Sequence, residues 1–545
     1  MLKRILPQKS QLSATRWATH GGVTDYNAHP HGNEDLVLVH NGIVENAVEL
    51  KAMLKKEGFE FKSQTDSEVF MVLVTKYFKA GATLFKAVTT AFKLIRGNSA
   101  FVVMNKFDDE IIAIKRSAPL VCGENEATKE VFVSSDAYAL VGKAKTLYFP
   151  QDEIVCRLNP KQAHLVEFFD LEGNPSTKYL KKEQDMSLDV SEKGVFEHFM
   201  MKEIHEQPNL IESFTNYYLN GDGLERLENL NDLKPKSFQI SACGTAWHAG
   251  LVIKNFLESN VRIPCVIDLA SEFRYRNPIL NKDEVGLFIS QSGETADTLA
   301  AQELCHENKM KTVSIVNVEG STLFRNCDIN LLIKAGIEIG VASTKAFTQQ
   351  VLTGYLMSKK LQNQLNDVSV KQELKTLKIR IEEVLERSSE IQAIAKEIYE
   401  KKGYLFTGRG KYYPIALEGA LKLKEIAYVH AEGYAAGELK HGPIALIDKE
   451  MVNVALVGPE LFEKTVSNIE EIKARKGIIV TFGPQNDKIL EEISDYYFGL
   501  NFEGLNDLSP VYINVVNQLL SYYIAKYKGT DIDKPRNLAK SVTVE

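Results

Sequence analysis

The chain has 545 residues, 44% hydrophobic and 25% charged, the make-up of a folded globular protein and not of a disordered or low-complexity one. Lys and Arg total 65 against 72 for Asp and Glu, a formal net charge of −7, which argues against a nucleic-acid partner. No apolar run reaches the roughly 18 residues that span a membrane, and the length suggests about three or four domains.

Met1–Leu12 is basic through Lys3, Arg4 and Lys9 but holds Pro7 and no long apolar core, so it does not read as a secretory signal. None of the six cysteines (Cys122, Cys156, Cys243, Cys265, Cys305, Cys327) lies within four residues of another. That spacing fits neither a zinc ribbon nor a CxxC pair; reduced thiols in a cytoplasmic protein are expected, with no metal and no cofactor.

Residues 1–170 alternate short β-like runs with polar turns, as in Leu36–Val39 before His40-Asn41-Gly42, Ala100–Met104, and Glu130–Val133 before Ser134-Ser135-Asp136. Helix-like stretches near 45–57 and 66–79 interrupt them, predicting an α+β domain. Here Arg16, next to Trp17 and close to His20, suits a carboxylate, and the Asn41 side chain with the Gly42 N–H suits an oxyanion. Asp66 suits either an ammonium group or a helix cap. Together they fit an amino-acid amide, yet no nucleophile accompanies them, since no Cys precedes Cys122.

A charged, helix-prone connector follows, with 171–235 separating the first domain from the next. From 236 the pattern becomes strand–helix–strand, with buried-type strands at Ser237–Ala242, Cys265–Leu269, Glu284–Ser290 and Lys311–Val316. This is a doubly wound α/β signature over 236–367. A single charged helical connector is expected over 368–402, carrying Leu374, Leu377, Ile381, Val384 and Leu385 at helical spacing. The strand pattern then returns over 403–530. Tyr404–Gly410 resembles Phe238–Gly244, Glu450–Val457 matches Glu284–Ile289, and Lys476–Phe482 matches Lys311–Val316. The two copies differ after the third strand. The first has Ser290-Gln291-Ser292-Gly293-Glu294-Thr295 and the second Gly458-Pro459-Glu460-Leu461, so a hydroxyl-rich site is predicted in the first copy only.

The Ser290–Thr295 loop joins a strand to a helix. Free N–H groups, a positive dipole end and three hydroxyls suit a phosphate monoester, and a plain N-cap by Ser292 with Thr295 is the alternative. Glu418, Lys422 and Glu425 share one helix face, fit for proton transfer or for a solvated ion-pair stripe. His441 stands at a Gly-Pro turn, where a lone histidine is usually structural. Lys540, in the tail 531–545, is either an exposed tail lysine or a tucked-in, nucleophilic one.

These pieces, with Thr15–Gly22, His40–Val44, Ser63–Glu68, Ala242–Thr245, Ser290–Thr298, Glu338–Thr348, Ala416–Glu425, Glu432–Pro443 and Asp531–Glu545, closely resemble the glutamine–fructose-6-phosphate aminotransferase (isomerising) family. The resemblance runs over nearly the whole chain from about Ser13. It implies a glutamine amidotransferase domain followed by two sugar-isomerase (SIS) domains and a catalytic tail. The implied product is glucosamine 6-phosphate, made from fructose 6-phosphate with glutamine as nitrogen donor, the first step of UDP-N-acetylglucosamine synthesis. It also implies a homodimer or larger homo-oligomer.

By resemblance, Ser290, Gln291, Ser292 and Thr295 hold the sugar phosphate. Lys540 forms a Schiff base with the C2 carbonyl. Glu425 moves the proton between C1 and C2 with Lys422 nearby, and His441 assists ring opening from a neighbouring subunit. Cys243, Gly244, Thr245, Val341, Ser343 and Ala539 line the sugar site. Ala246 stands where the family usually has serine. Arg16, Thr19, His20, Asn41, Gly42 and Asp66 match glutamine-binding and oxyanion positions, and Trp17 the gate of an ammonia channel. The family pattern is entered just before Arg16, so its terminal cysteine nucleophile and first strands have no counterpart. The expectation is an N-terminally truncated glutaminase domain, lost glutamine hydrolysis, use of free ammonia, and exposed sheet edges in the first domain. The alternatives are a phosphosugar isomerase without amination and a SIS-type module that binds sugar phosphate without turnover.

Overall fold

The computed structural model describes residues 24–107, 109–184 and 193–542, together with Leu12 and Gly22. The chain divides into two compact units, Met1–Glu192 with Val542–Glu545, and Lys193–Ser541. Among the described residues no helix is long and apolar enough to cross a membrane.

The first unit holds two antiparallel sheets. The six-stranded one runs, edge to edge, through His31–Gly32, Leu36–Gly42, Ser99–Asn105, Ile111–Arg116, Val155–Leu158 and Val166–Phe169. The four-stranded one runs through Tyr179–Glu183, Thr146–Pro150, Val121–Asn125 and Glu130–Ser134. Alternation in Phe101, Val103, Ile112 and Ile114 sends these side chains to one face, where they pack on the helices Ala47–Lys56, Ser67–Lys79 and Leu84–Phe92. Ala100, Ala113 and Cys156 take the other face and meet Cys122 and Tyr148 of the second sheet. The helices expected near 45–57 and 66–79 are present. The third, Leu84–Phe92, goes unread in the sequence although Leu84, Ala87, Val88, Ala91 and Phe92 are all buried and Thr83 caps it by accepting the Lys86 N–H.

In the second unit two parallel five-stranded sheets have the same strand order. The first runs Cys265–Leu269, Phe238–Ala242, Val285–Ser290, Lys311–Val316, Ile329–Leu332, and the second His430–Ala435, Gly403–Gly408, Met451–Leu456, Ile478–Pro484, Tyr496–Leu500. Each is a doubly wound sheet in the order second, first, third, fourth, fifth, so the copies inferred from the sequence share one topology. The strands missed by the sequence pattern are Ile329–Leu332, His430–Ala435 and Tyr496–Leu500, each at a sheet edge. A strand covered on both faces and both sides reads as an apolar run, as Val285–Ser290 does, while an edge strand need not.

Two expected connectors prove to be parts of the folded units. Within 171–235, Tyr179–Glu183 belongs to the four-stranded sheet, and Phe199–Asn220 is a helix that buries Met200, Ile204, Ile211, Phe214 and Tyr218 in the core of the second unit. Pro208 inside that helix removes one N–H, and the Gln207 side chain donates to the carbonyl of Ile204 at 3.1 Å in its place. The single helix expected over 368–402 is two, Val368–Glu386 and Ser388–Ile398, separated at Arg387. Leu374, Leu377, Ile381 and Val384 are buried in the common core, because the apolar stripe faces other helices rather than water.

Candidate active site

In a sheet of this order, ligands sit at the carboxyl ends of the strands where the order reverses. In the first copy that is between Phe238–Ala242 and Val285–Ser290, where the loops Cys243–Thr245 and Ser290–Thr295 emerge.

The second loop folds on its own hydroxyls. Ser290 Oγ accepts the Gly293 N–H at 3.0 Å and lies 3.0 Å from Thr295 Oγ1, and Ser292 Oγ accepts the Glu294 N–H at 3.1 Å. Gly293 has φ +67, and a Cβ there would meet Ser321 Oγ at 2.1 Å, so the turn requires glycine. Thr295 is the N-cap residue of the helix Ala296–Glu307 but its side chain makes no cap hydrogen bond. The plain N-cap alternative therefore does not describe this loop, whose hydroxyls surround the start of a helix without closing it. Glu294 Oε1 accepts the Thr322 N–H at 2.7 Å, bracing the loop from behind.

In the second copy the corresponding crevice is filled from within. Gly458 lies against the Tyr412 ring, where a Cβ would come within 2.0 Å. Tyr412 Oη donates to Glu460 Oε2 at 3.2 Å, and Lys411 pairs with Glu460 Oε1 at 2.6 Å.

On the helix Tyr413–Ala427, which opens with Pro414 in its first turn, the face of Glu418, Lys422 and Glu425 is turned inward. Glu418 and Lys422 are both fully buried, so the solvated-stripe alternative fails. Lys422 Nζ donates to Glu425 Oε2 at 2.6 Å and to Thr245 Oγ1 at 3.0 Å, and stands 3.5 Å from Glu418 Oε1. Glu418 also accepts from Thr245 Oγ1 at 3.1 Å and lies 2.8 Å from His248 Nδ1. Burial works against the charge of Lys422, but the carboxylates of Glu425 and Glu418 outweigh it and raise its pKa. Cys243 caps the helix Gly244–Phe256 by position, and burial, with Asp297 nearby, raises its thiol pKa.

The tail is tucked in. Lys540 Nζ pairs with Glu338 Oε2 at 2.5 Å and donates to the Gly340 carbonyl at 2.8 Å and to Ser343 Oγ at 3.4 Å. Ser541 Oγ donates to Ser292 Oγ at 3.0 Å, joining the tail to the hydroxyl loop. Glu338 is buried; burial alone would raise its pKa, but the Lys540 ammonium holds it well below the usual carboxylate range. Val341 N–H donates to the Asp533 carbonyl at 3.0 Å. Two hydrogen-bonded groups result: the hydroxyl loop with the tail, Glu338 and Ser343, and Thr245 with Lys422, Glu425 and Glu418; the Glu338 carboxylate, paired with Lys540, also acts electrostatically on Lys422. Gln291 and Val341 are half-buried in the same segments, whereas Gly244 and Ala539 are exposed. His441 is exposed on the turn Ala436–His441, and no hydrogen bond among the described residues ties it to either group. Glu338, Glu203 and His248 carry no local sequence signal of their partners, although Glu338 opens the stretch Glu338–Thr348. Nothing near Lys540 in the sequence announces a partner 202 residues away.

In the first unit, Arg16, Trp17, Thr19 and His20 lie outside the described residues. Gly42 has φ +125, with a Cβ excluded by the Asn98 carbonyl at 2.1 Å. Asp66 is the N-cap residue of Ser67–Lys79 without a side-chain cap bond; its Oδ2 instead accepts the Val44 N–H at 2.8 Å, fixing the turn after Asn41-Gly42. His40 is buried between Ser67 and Ser99, and burial, with His31 beside it, lowers its pKa to about 3.

The SIS domain family matches residues 233–359 and 397–525, and the glutamine amidotransferase domain family matches 25–142. The chain is 42% identical over 549 residues to the glutamine–fructose-6-phosphate aminotransferase (isomerizing) of Escherichia coli K12, covering 98% of this chain and 89% of that one. It is equally close, 42% over 553 residues, to the enzyme of that name from Idiomarina loihiensis. The C-terminal domain of glucosamine-fructose-6-phosphate aminotransferase from Francisella tularensis superposes with a TM-score of 0.57 at 41% identity, over 63% of this chain and all of that one. A glucosamine-6-phosphate deaminase from Thermotoga maritima shares the fold, with a TM-score of 0.53 at 23% identity, over 64% of this chain and all of that one.

Proposed function

The chain belongs to the glutamine–fructose-6-phosphate aminotransferase (isomerising) family, and from that membership we propose that it forms glucosamine 6-phosphate from fructose 6-phosphate at the first-copy crevice. The observation that carries the reading is the tail lysine, Lys540, seated on Glu338 and tied through Ser541 to the hydroxyl loop, with the same Glu338 acting electrostatically on the buried Lys422.

Ser290, Gln291, Ser292 and Thr295 bind the phosphate at the helix start, where N–H groups and hydroxyls supply neutral donors. The Lys540 amine adds to the C2 carbonyl and water leaves, giving an imine. Ammonia then displaces the lysine at C2. Glu425 takes a proton from C1 as the imine nitrogen gains one, and returns it to C2 as the C1 hydroxyl gives up its own, leaving an amine at C2 and an aldehyde at C1. The imine makes the C1–H acidic enough for a carboxylate, and the Lys422 ammonium holds that carboxylate in place. Cys243, Gly244, Thr245, Val341, Ser343 and Ala539 line the sugar. His441, exposed in one chain, assists ring opening in the site of a neighbouring subunit, which makes a homodimer the smallest complete enzyme.

Asn41, Gly42 and Asp66 bind the amide substrate in the first unit, with Arg16, Thr19, His20 and Trp17. The thiols of that unit's described residues, Cys122 and Cys156, are fully buried, and burial pushes the pKa of Cys156 well up, so neither attacks an amide. The test is product formation from fructose 6-phosphate with ammonium or with glutamine, beside borohydride trapping of the sugar on Lys540. Ammonium-dependent product and a trapped Lys540 are expected. A Lys540→Ala variant that keeps ammonium-dependent turnover would refute the assignment.

A further inference from the structure

One buried carboxyl beside this site has no part in the reaction above. Glu203 lies in the second turn of the helix Phe199–Asn220 and is 2% exposed. Its Oε1 accepts two consecutive backbone donors, the Ile339 N–H at 2.5 Å and the Gly340 N–H at 3.1 Å. Its Oε2 is buried without a hydrogen-bond partner, and a Cβ on Gly340 would come within 2.8 Å of it. Only glycine lets the carboxyl approach this closely.

The next amide, Val341, donates to the Asp533 carbonyl, and the Asp533 carboxylate accepts the Phe199 and Met200 N–H groups at 3.0 Å each. The peptide 339–341 therefore hangs from the first turns of this one helix. It lies between a strand and a helix, Ile329–Leu332 and Lys345–Leu361, with no ladder of its own. Yet it carries the groups that hold Lys540, with Glu338 just before it, the Gly340 carbonyl within it and Ser343 just after.

We infer that Glu203 is a positioning residue for Lys540, gripping the amides of Ile339 and Gly340 so that the Gly340 carbonyl and the Glu338 carboxylate aim the amine at the sugar carbonyl. The inference rests on Lys540 being the imine-forming lysine. Two bonds to one oxygen from adjacent residues fix both the position and the tilt of the peptide planes, which a single bond does not. Burial and the neighbouring Glu338 push the Glu203 carboxyl up, so it grips the loop without adding a second full negative charge to compete for the Lys540 ammonium. An amide side chain of the same length reproduces that grip.

The experiment is borohydride trapping of fructose 6-phosphate on the full chain, read by mass spectrometry of the Lys540 peptide. Absence of the adduct in the unmodified protein would sink the imine assignment itself. With that adduct in hand, Glu203→Ala slows its formation at saturating sugar about tenfold or more, leaves the half-saturating sugar concentration within about twofold, and Glu203→Gln returns the rate to within about threefold. Glu203→Asp keeps the carboxyl group but shortens the reach, and slows trapping as well; it carries the test should Glu203→Ala not fold. A folded Ala or Asp variant trapping at the unmodified rate, or a Gln variant as slow as Ala, overturns the inference.

Discussion

At the scale of single residues, the site is organised around buried charges whose partners are distant in sequence. Glu418 is fully buried and satisfies Thr245, His248 and, at longer range, Lys422. Removing one member of such a network leaves an uncompensated charge in the interior, a loss of about 3 kcal/mol or more. Glu418→Ala is expected to lower the unfolding midpoint and to reduce turnover more than Glu418→Gln, as read by thermal unfolding and ammonium-dependent kinetics. Glu338 gives a pH signature. Its folded pKa is depressed by Lys540, so the stabilisation is full above the ordinary glutamate value of about 4.3 and is lost as pH falls toward the depressed value. The difference in melting temperature between the unmodified protein and Glu338→Gln should be flat above about pH 5 and shrink below it. A difference that grows on acidification would contradict the pairing.

At the scale of elements, the two sheet copies make a controlled comparison. In the first, the loop after the third strand needs a left-handed glycine against Ser321, and its hydroxyls bond one another, the loop N–H groups and Ser541 of the tail. In the second, the same region is plugged by Tyr412 and the Lys411–Glu460 pair. Gly293→Ala therefore distorts a binding loop, and the KM for fructose 6-phosphate should rise about tenfold while the melting temperature also falls. Gly458→Ala forces the Tyr412 ring out of its place and should lower the melting temperature while leaving that KM alone. Initial-rate kinetics and thermal scans on both variants check the contrast. The sequence carries this difference openly, because hydroxyls in one copy and Gly-Pro in the other are local signals. It does not carry the plug, because Tyr412 reaches Gly458 only after the sheet has formed.

At the scale of the molecule, the second unit contains both parallel sheets, the hydroxyl loop, the Glu418–Lys422–Glu425 face and the tail as far as Ser541. Residues 193–545 expressed alone should fold and support ammonium-dependent product formation, measured against the full chain. Activity of the full chain with ammonium and none from the fragment would mean that the first unit contributes to the sugar site.

What the amino-acid sequence determined by itself is the local chemistry. The doubly wound repeat, the hydroxyl loop, the charged helix face and the family likeness are all written in short-range pattern, since strand periodicity, glycine turns and motif spacing need no distant partner. The tertiary structure decided which alternatives were realised. Whether Glu418, Lys422 and Glu425 are a solvated stripe or a buried network, and whether Lys540 is a frayed lysine or a seated one, depends on groups some 170–200 residues away. Edge strands and packed connectors escaped the pattern for the same reason: their burial is set by neighbours that only the folded chain brings alongside.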